Sequence, residues 1–169
     1  MSASQGDAIV LIDIADRVAT VTLNRPEARN ALSTGLSREI RATMKACEVD
    51  DGVDVVILTG ADPAFSAGLD LKELGSTGGN LGAGLREERA QGEREVAVIE
   101  PWDPMTKPVI GAINGVAITG GFELALQCDF RIASERARFG DTHTRVGILP
   151  GWGLSVLLHT TSDGPVRSR

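Results

Sequence analysis

The sequence predicts one α/β domain assembled from strand-strand-helix units, and three observations predict it. Short β-branched runs alternate with segments whose apolar residues recur at helical spacing. That strand-strand-helix order opens the chain and recurs in its second half, without any sequence repeat. Finally, 169 residues of which 42% are hydrophobic can bury a real core.

Taken in order, "AIVLIDIAD" and "VATVTLN" are two strands separated by Asp16-Arg17, which predicts a hairpin. After "NRPEARNAL", Ser33 caps a helix in which Leu36, Ile40, Met44 and Cys47 form one apolar stripe, ending near Asp50-Asp51-Gly52. "VDVVILTG" reads as a buried strand closed by Gly60, and "PAFSAGLDLKEL" turns through Gly68 into a short helix. Residues 75–95 are Gly-rich and then charged, which predicts a mobile loop running into a helix start. "KPVIGAIN" is strand-like, "GGFELALQC" helical and "DFRIAS" a strand. "RVGILPGWGLSVLL" reads as a strand or loop passing through Pro150-Gly151 to a last helix. The ordered core is therefore expected over residues 1–158, with 159–169 an atypical polar tail.

Composition excludes some functions. A net charge of −6 with no Lys/Arg run argues against nucleic acid or an anionic membrane surface as the main partner. Cys47 and Cys128 stand far apart without a metal or disulfide pattern, so no metal is expected and both read as core thiols. The N-terminus lacks the regions of a signal peptide and no apolar run is long enough to span a bilayer, which makes the cytoplasm the expected location.

Chemistry is signalled by "INGVAITGGFELAL", where a Gly pair and Glu123 interrupt an otherwise almost wholly apolar stretch. The glycine spacing from Gly115 imitates a phosphate loop, but Gly121 stands where its lysine is required and no Ser/Thr follows. No GxGxxG follows the first strand, so a nucleotide cofactor has no support. What remains is a helix start whose free N–H groups and positive dipole end attract developing negative charge, with Gly120 as one donor. A second donor lies in "FSAGLD", where Gly68 permits a tight turn that leaves the Leu69 N–H pointing outward. A carboxylate in apolar surroundings finds a partner or changes its protonation state. Glu123 is thus either a working acid/base or a first-turn glutamate turned to solvent.

"NRPEARNAL", "FSAGLDLKEL", "KPVIGAINGVAITGGFELALQCDFRIAS" and "FGDTHTRVGILPGWG" together resemble, in order, the successive motifs of the crotonase, or enoyl-CoA hydratase/isomerase, superfamily. The resemblance covers roughly residues 8–158. It implies a spiral of strand-strand-helix units and a homotrimer or dimer of trimers. The implied activity is that of an acyl-CoA lyase, with coenzyme A entering as part of the substrate and no other cofactor. By position, the backbone N–H groups of Leu69 and Gly120 would hold the thioester oxygen and Glu123 would match the first catalytic glutamate. Arg25, Ala28, Ala31 and Leu32 would line the CoA channel, Ala67 would sit by the adenine, and Leu71 and Lys72 would complete the site, Lys72 near a phosphate.

Two departures qualify the likeness. The family's second glutamate follows "FG" by three residues, and here that position is His143. If the segment is extended, Asp141 and His143 project to one face and form a carboxylate-imidazole pair that handles protons; the alternative is a hydrogen-bonded structural histidine. After Leu158 comes "HTTSDGPVRSR", polar and without helical periodicity, where relatives continue into a C-terminal helical portion. The chain therefore reads as truncated or shifted in frame, with a weakened assembly. Reversible hydration of 2-enoyl-CoA leads the functional reading. Other acyl-CoA reactions (isomerase, hydrolase, decarboxylase) and a non-catalytic CoA-binding or subunit-interaction role stay open, and Lys72 also reads as a solvated lysine.

Overall fold

The computed structural model describes residues 8–76 and 100–162. β1 (Val10–Ala15) and β2 (Val18–Leu23) form the expected antiparallel hairpin, with Asp16 and Arg17 both at positive φ in its turn. α1 (Thr34–Val49) starts where Ser33 Oγ accepts the Leu36 N–H at 3.1 Å. It turns Leu36, Ile40, Met44 and Cys47 inward. That stripe meets the inward residues of β2 (Ala19, Val21, Leu23) and of β3 (Val55–Gly60), where Val56 and Leu58 alternate with half-buried neighbours. Each such aliphatic side chain, fully withdrawn from water, contributes about 1.5–3 kcal/mol.

The rest of the chain repeats one pattern. β3 leads to β4 (Ala64–Ser66) and α2 (Leu71–Ser76); β5 (Val109–Ile113) leads to β6 (Val116–Ile118) and α3 (Gly120–Gln127). β7 (Phe130–Ala133) leads to β8 (Arg138–Gly140), a 3-10 turn (His143–Val146) and α4 (Leu154–Ser162). In each unit the first strand joins a five-stranded sheet of order β1-β2-β3-β5-β7 and the second a three-stranded sheet of order β4-β6-β8. Every pairing except β1–β2 is parallel. The chain therefore winds as a spiral, each turn laying one strand on each sheet beside its predecessor.

Several expectations need correction or fall elsewhere. The second sheet was not anticipated, because its strands are only three residues long. Residues 145–149 form no strand: the 3-10 turn ends at Gly147, whose φ of 70° lets its N–H return to the His143 and Thr144 carbonyls. α4 runs to Ser162, four residues into the segment read as a polar tail. Gly75 and Ser76 end α2, and the rest of the loop expected at 75–95 lies outside the described residues.

Candidate active site

Two turns face each other at the ends of the small sheet. On one side, β4 passes through Gly68 (φ 82°) to Leu69 and α2; on the other, β6 passes through Thr119 to Gly120 and α3. They approach so closely that a Cβ on Gly68 would lie 2.6 Å from the Ile118 carbonyl oxygen and 3.3 Å from the Gly120 nitrogen. A Cβ on Gly121 would lie 2.3 Å from the Ser66 carbonyl oxygen. Gly68 is thus required twice over, by its left-handed φ and by contact, while Gly121 is required by contact alone.

The first turn is fixed from the 25–32 loop. Leu32 donates to the Gly68 carbonyl (2.7 Å) and accepts from the Asp70 N–H (3.1 Å), so the bridge straddles Leu69 and leaves its N–H turned away from Leu32. The Gly120 N–H is the first of α3 and has no intrahelical partner by position. Neither N–H has an acceptor among the described residues. The loop itself hangs on Asn30, which is fully buried at φ 54°. Its amide donates to the Ala61 and Ala64 carbonyls, both at 2.8 Å, and its side-chain oxygen accepts the Arg25 N–H at 2.8 Å. Arg25 donates to the Ala31 carbonyl (2.6 Å) and to Asp70 (2.9 Å). Burial pushes the Asp70 carboxyl up, but the Arg25 guanidinium and the Glu73 and Lys72 backbone N–H groups outweigh it, so Asp70 lies below its ordinary range.

One turn along α3, Glu123 is buried rather than solvent-facing, with 3% of its side chain exposed. Its Oε1 accepts the backbone N–H groups of Trp152 (2.8 Å) and Leu154 (3.2 Å), from the loop that leads into α4. Its Oε2 faces His143 Nε2 at 3.5 Å, and the imidazole is 2% exposed. The other ring nitrogen, Nδ1, lies 2.6 Å from Asp141 Oδ1, which also accepts the His143 backbone N–H at 3.0 Å. That backbone N–H is the main reason the Asp141 carboxyl lies below its ordinary range, with the ring adding to it.

The structure therefore brings Asp141, His143 and Glu123 into one line, but not as an extended segment would. Asp141 and His143 meet through a tight Asx-type turn, in which the carboxylate takes the N–H two residues on. With Nδ1 committed to Asp141, Nε2 is the ring atom left for exchange with Glu123. The assembly pairs two unpaired N–H donors with a carboxylate and an imidazole a helical turn away. It can stabilise charge developing on a bound carbonyl oxygen while moving one proton at a neighbouring atom.

Among the remaining candidates, Leu32 and Ala31 are buried and Ala28 half-buried in the loop, Ala67 is half-buried, and Leu71 and Lys72 are exposed on α2. Arg25 is engaged with the protein itself, and its role in the structure is to tie the 25–32 loop to Asp70. Sequence reasoning missed Asn30, Asp70, and the Trp152 and Leu154 N–H groups. A signal existed for the last two: Gly151 and Gly153 flank Trp152, and Gly153 takes φ 90°. Both cysteines are free and buried; burial pushes the Cys128 thiol up to about 12, so it stays a thiol. No helix among the described residues is long and apolar enough to cross a membrane, and no group of three His, Cys, Asp or Glu among them could hold a metal ion. A cleft of about 120 Å³ lined by Trp102, Met105, Gln127 and Asp129 lies at the other end of α3 from Gly120, away from this chemistry.

Comparison with known proteins agrees with this fold. A sequence model described as enoyl-CoA hydratase/isomerase matches residues 13–162. A probable enoyl-CoA hydratase of Rhizobium meliloti is 41% identical over 144 residues, which are 85% of this chain and 53% of that protein. A crotonyl-CoA hydratase of Syntrophomonas wolfei is 40% identical over 146 residues, 85% of this chain and 54% of that protein. The crystal structure of an enoyl-CoA hydratase from Mycobacterium tuberculosis matches at 54% identity with a TM-score of 0.76, covering 94% of this chain and 61% of the other. The chain spans about half the length of the curated relatives it matches.

Proposed function

The chain belongs to the enoyl-CoA hydratase/isomerase family, and from that premise we propose that it binds a 2-enoyl-CoA thioester and catalyses its reversible hydration. One observation carries the reading: the unpaired Leu69 and Gly120 N–H groups stand side by side, one helical turn from a buried glutamate whose Oε2 is left for a proton. With the thioester oxygen on the two N–H groups, enolate charge that develops as water adds at C3 is stabilised, each donor contributing ~3–4 kcal/mol. Glu123 Oε2 takes a proton of the attacking water as the O–C3 bond forms, and returns that proton to C2 of the enolate, so one water has been added and the carboxylate is regenerated. His143 serves as the secondary proton carrier. Glu123 Oε1, held by two backbone N–H groups, fixes the direction of Oε2 throughout. Arg25, Ala28, Ala31, Leu32, Ala67, Leu71 and Lys72 form the coenzyme A side, and coenzyme A enters as part of the substrate.

A second reading, thioester hydrolysis by the same site, is favoured by the Asp141–His143 pair, because an imidazole held at Nδ1 leaves Nε2, 3.5 Å from Glu123 Oε2, to exchange a proton with that carboxylate. A homotrimer or dimer of trimers in the cytoplasm belongs to the same proposal. Phe130 and Ile132, exposed on β7 at the edge of the five-stranded sheet, support an assembly face, and light scattering that found only monomer at high concentration would count against it.

The test is turnover of crotonyl-CoA, followed both as loss of the conjugated thioester absorbance and as release of free thiol. Glu123→Gln keeps an acceptor for the Trp152 and Leu154 N–H groups but removes the base. Hydration should therefore fall by ~10² or more while binding of a saturated acyl-CoA stays near normal. His143→Glu, which supplies the second glutamate of the family pattern, should raise hydration. Full turnover by Glu123→Gln would remove Glu123 as the base, absence of hydration by the parent chain would end the hydratase reading, and thiol release without hydration would install the hydrolase in its place.

A further inference from the structure

Among the described residues, five other than glycine take positive φ, and Thr119 is the β-branched one among them. Its φ of 55° and ψ of −118° place a crowded Cβ where glycine is the ordinary occupant, and such strain persists only when the surroundings hold it. Here they hold it at every polar atom. The Thr119 N–H donates to the Gly140 carbonyl at 2.9 Å, and its carbonyl accepts the Phe122 and Glu123 N–H groups at 3.0 Å each. Its hydroxyl makes no capping bond to α3, although it stands at the position where threonine commonly caps a helix. It bonds Thr142 Oγ1 instead, at 2.7 Å.

These bonds run between the two parts of the site. Thr119 precedes the Gly120 donor and receives the Glu123 N–H, whereas Gly140 and Thr142 flank Asp141 and lead into His143. Thr119 is 4% exposed and Thr142 half-buried, so the hydroxyl bond is partly shielded from water. A glycine at 119 would adopt the same turn without strain, but would leave the 140–143 segment attached to it by the single Gly140 bond.

We propose that Thr119 is a positioning residue: its hydroxyl, bonded to Thr142, registers the Gly120 donor and Glu123 against His143. The inference rests on the acyl-CoA reading for the chemistry these groups perform, but the positioning itself has a readout that needs no substrate. The nitrogen chemical shifts of the His143 ring report its environment, and they are assigned by their disappearance in His143→Gln.

The experiment compares Thr119→Val and Thr142→Val, singly and together, with Thr119→Ser as the variant that keeps a hydroxyl. Each valine change should shift the His143 ring signals and lower kcat for enoyl-CoA hydration about tenfold, well under the ~100-fold that a 1 Å misplacement can cost. KM and the Kd for a saturated acyl-CoA should stay nearly unchanged. Because the two hydroxyls act as one unit, the double variant should be no worse than either single one. Thr119→Ser should show the parent ring signals. Unmoved ring signals in both valine variants, or multiplicative losses in the double variant, overturn the proposal. If Thr119→Val fails to fold, Thr142→Val with the same readouts decides. Absence of enoyl-CoA turnover in the parent chain would strike the hydratase reading alone, since the ring signals still answer for Thr119.

Discussion

The two sides of the site are built by different means. The Leu69 side is held by backbone pairing and by a network fastened on Asn30, Arg25 and Asp70, none of which is needed to move a proton. On the Glu123 side, beyond the β6–β8 pairing and the Gln127 bond to the Trp152 carbonyl, the segment is held by Glu123 to the 152–154 backbone and Asp141 to His143, side chains also offered for chemistry, and by Thr119 to Thr142. The surroundings differ as well, since every residue of β7 is exposed and Val156 and Leu158 of α4 face outward. Changes on the Leu69 side should therefore register as lost stability, and changes on the Glu123 side as altered turnover.

The largest effect expected on the Leu69 side tests that division directly. Asn30→Ala leaves the Arg25 N–H and the Ala61 and Ala64 carbonyls without their side-chain partner and puts alanine at φ 54°. Buried unpaired groups cost about 1–3 kcal/mol each, partly recovered by relaxation, so a loss of roughly 3 kcal/mol in urea denaturation is expected. A stability within ~0.5 kcal/mol of the parent would show that the loop does not hang on Asn30.

How much of this was legible follows from the length of each signal. α1 and β1 to β3 carry six to sixteen residues of pattern, long enough for a period to emerge, and Ser33 marks a start that the structure reproduces. β4, β6 and β8 have three residues each, too few for alternation to be seen, so the second sheet emerges only from the spiral that lays them side by side. Glu123 was legible as an oddity of composition, because a carboxylate among apolar residues needs a partner. Its partners were not legible: two are backbone N–H groups 29 and 31 positions away, which no side-chain identity encodes. His143 stood out by position and its pairing with Asp141 was legible, but not the means, since Asp141 bends the chain into a turn rather than leaving it extended.

A smaller effect separates the two sides by acid. Asp70 and Asp141 both lie below the ordinary carboxylate range, and a group whose folded pKa is depressed stabilises the fold above its unfolded value of ~3.9. That contribution is lost as pH falls through the folded value, so both act on the acid limb below about pH 4. Asp70 is 8% exposed and tied to Arg25, whereas the Asp141 side chain is 42% exposed and screened by water. Asp70→Asn should therefore flatten the acid limb of stability more than Asp141→Asn does. Equal slopes for the two variants would mean that Arg25 contributes nothing specific.

The smallest effect concerns a charged candidate side chain on the Leu69 side that is left to serve a ligand. Lys72 is exposed on α2 and only its backbone N–H is engaged, by Asp70 Oδ1 at 3.1 Å, whereas the Arg25 side chain is committed to the protein. If Lys72 approaches a coenzyme A phosphate, the pair forms in water and contributes no more than an exposed ion pair, ~0.2–1 kcal/mol, or a change of up to about fivefold in Kd. Charges in solvent are screened beyond ~10 Å at 0.1 M salt, so the loss in Lys72→Ala should be clearest at low salt and fade as salt rises. The change should leave the urea midpoint where it was, because the Asp70 cap at α2 uses the Lys72 backbone and survives. Isothermal titration with a saturated acyl-CoA at two salt concentrations measures it. Coincident low-salt curves for parent and variant would remove Lys72 from the site and leave the coenzyme to backbone contacts alone, whereas a salt-independent loss would point to packing by the lysine stem rather than to its charge.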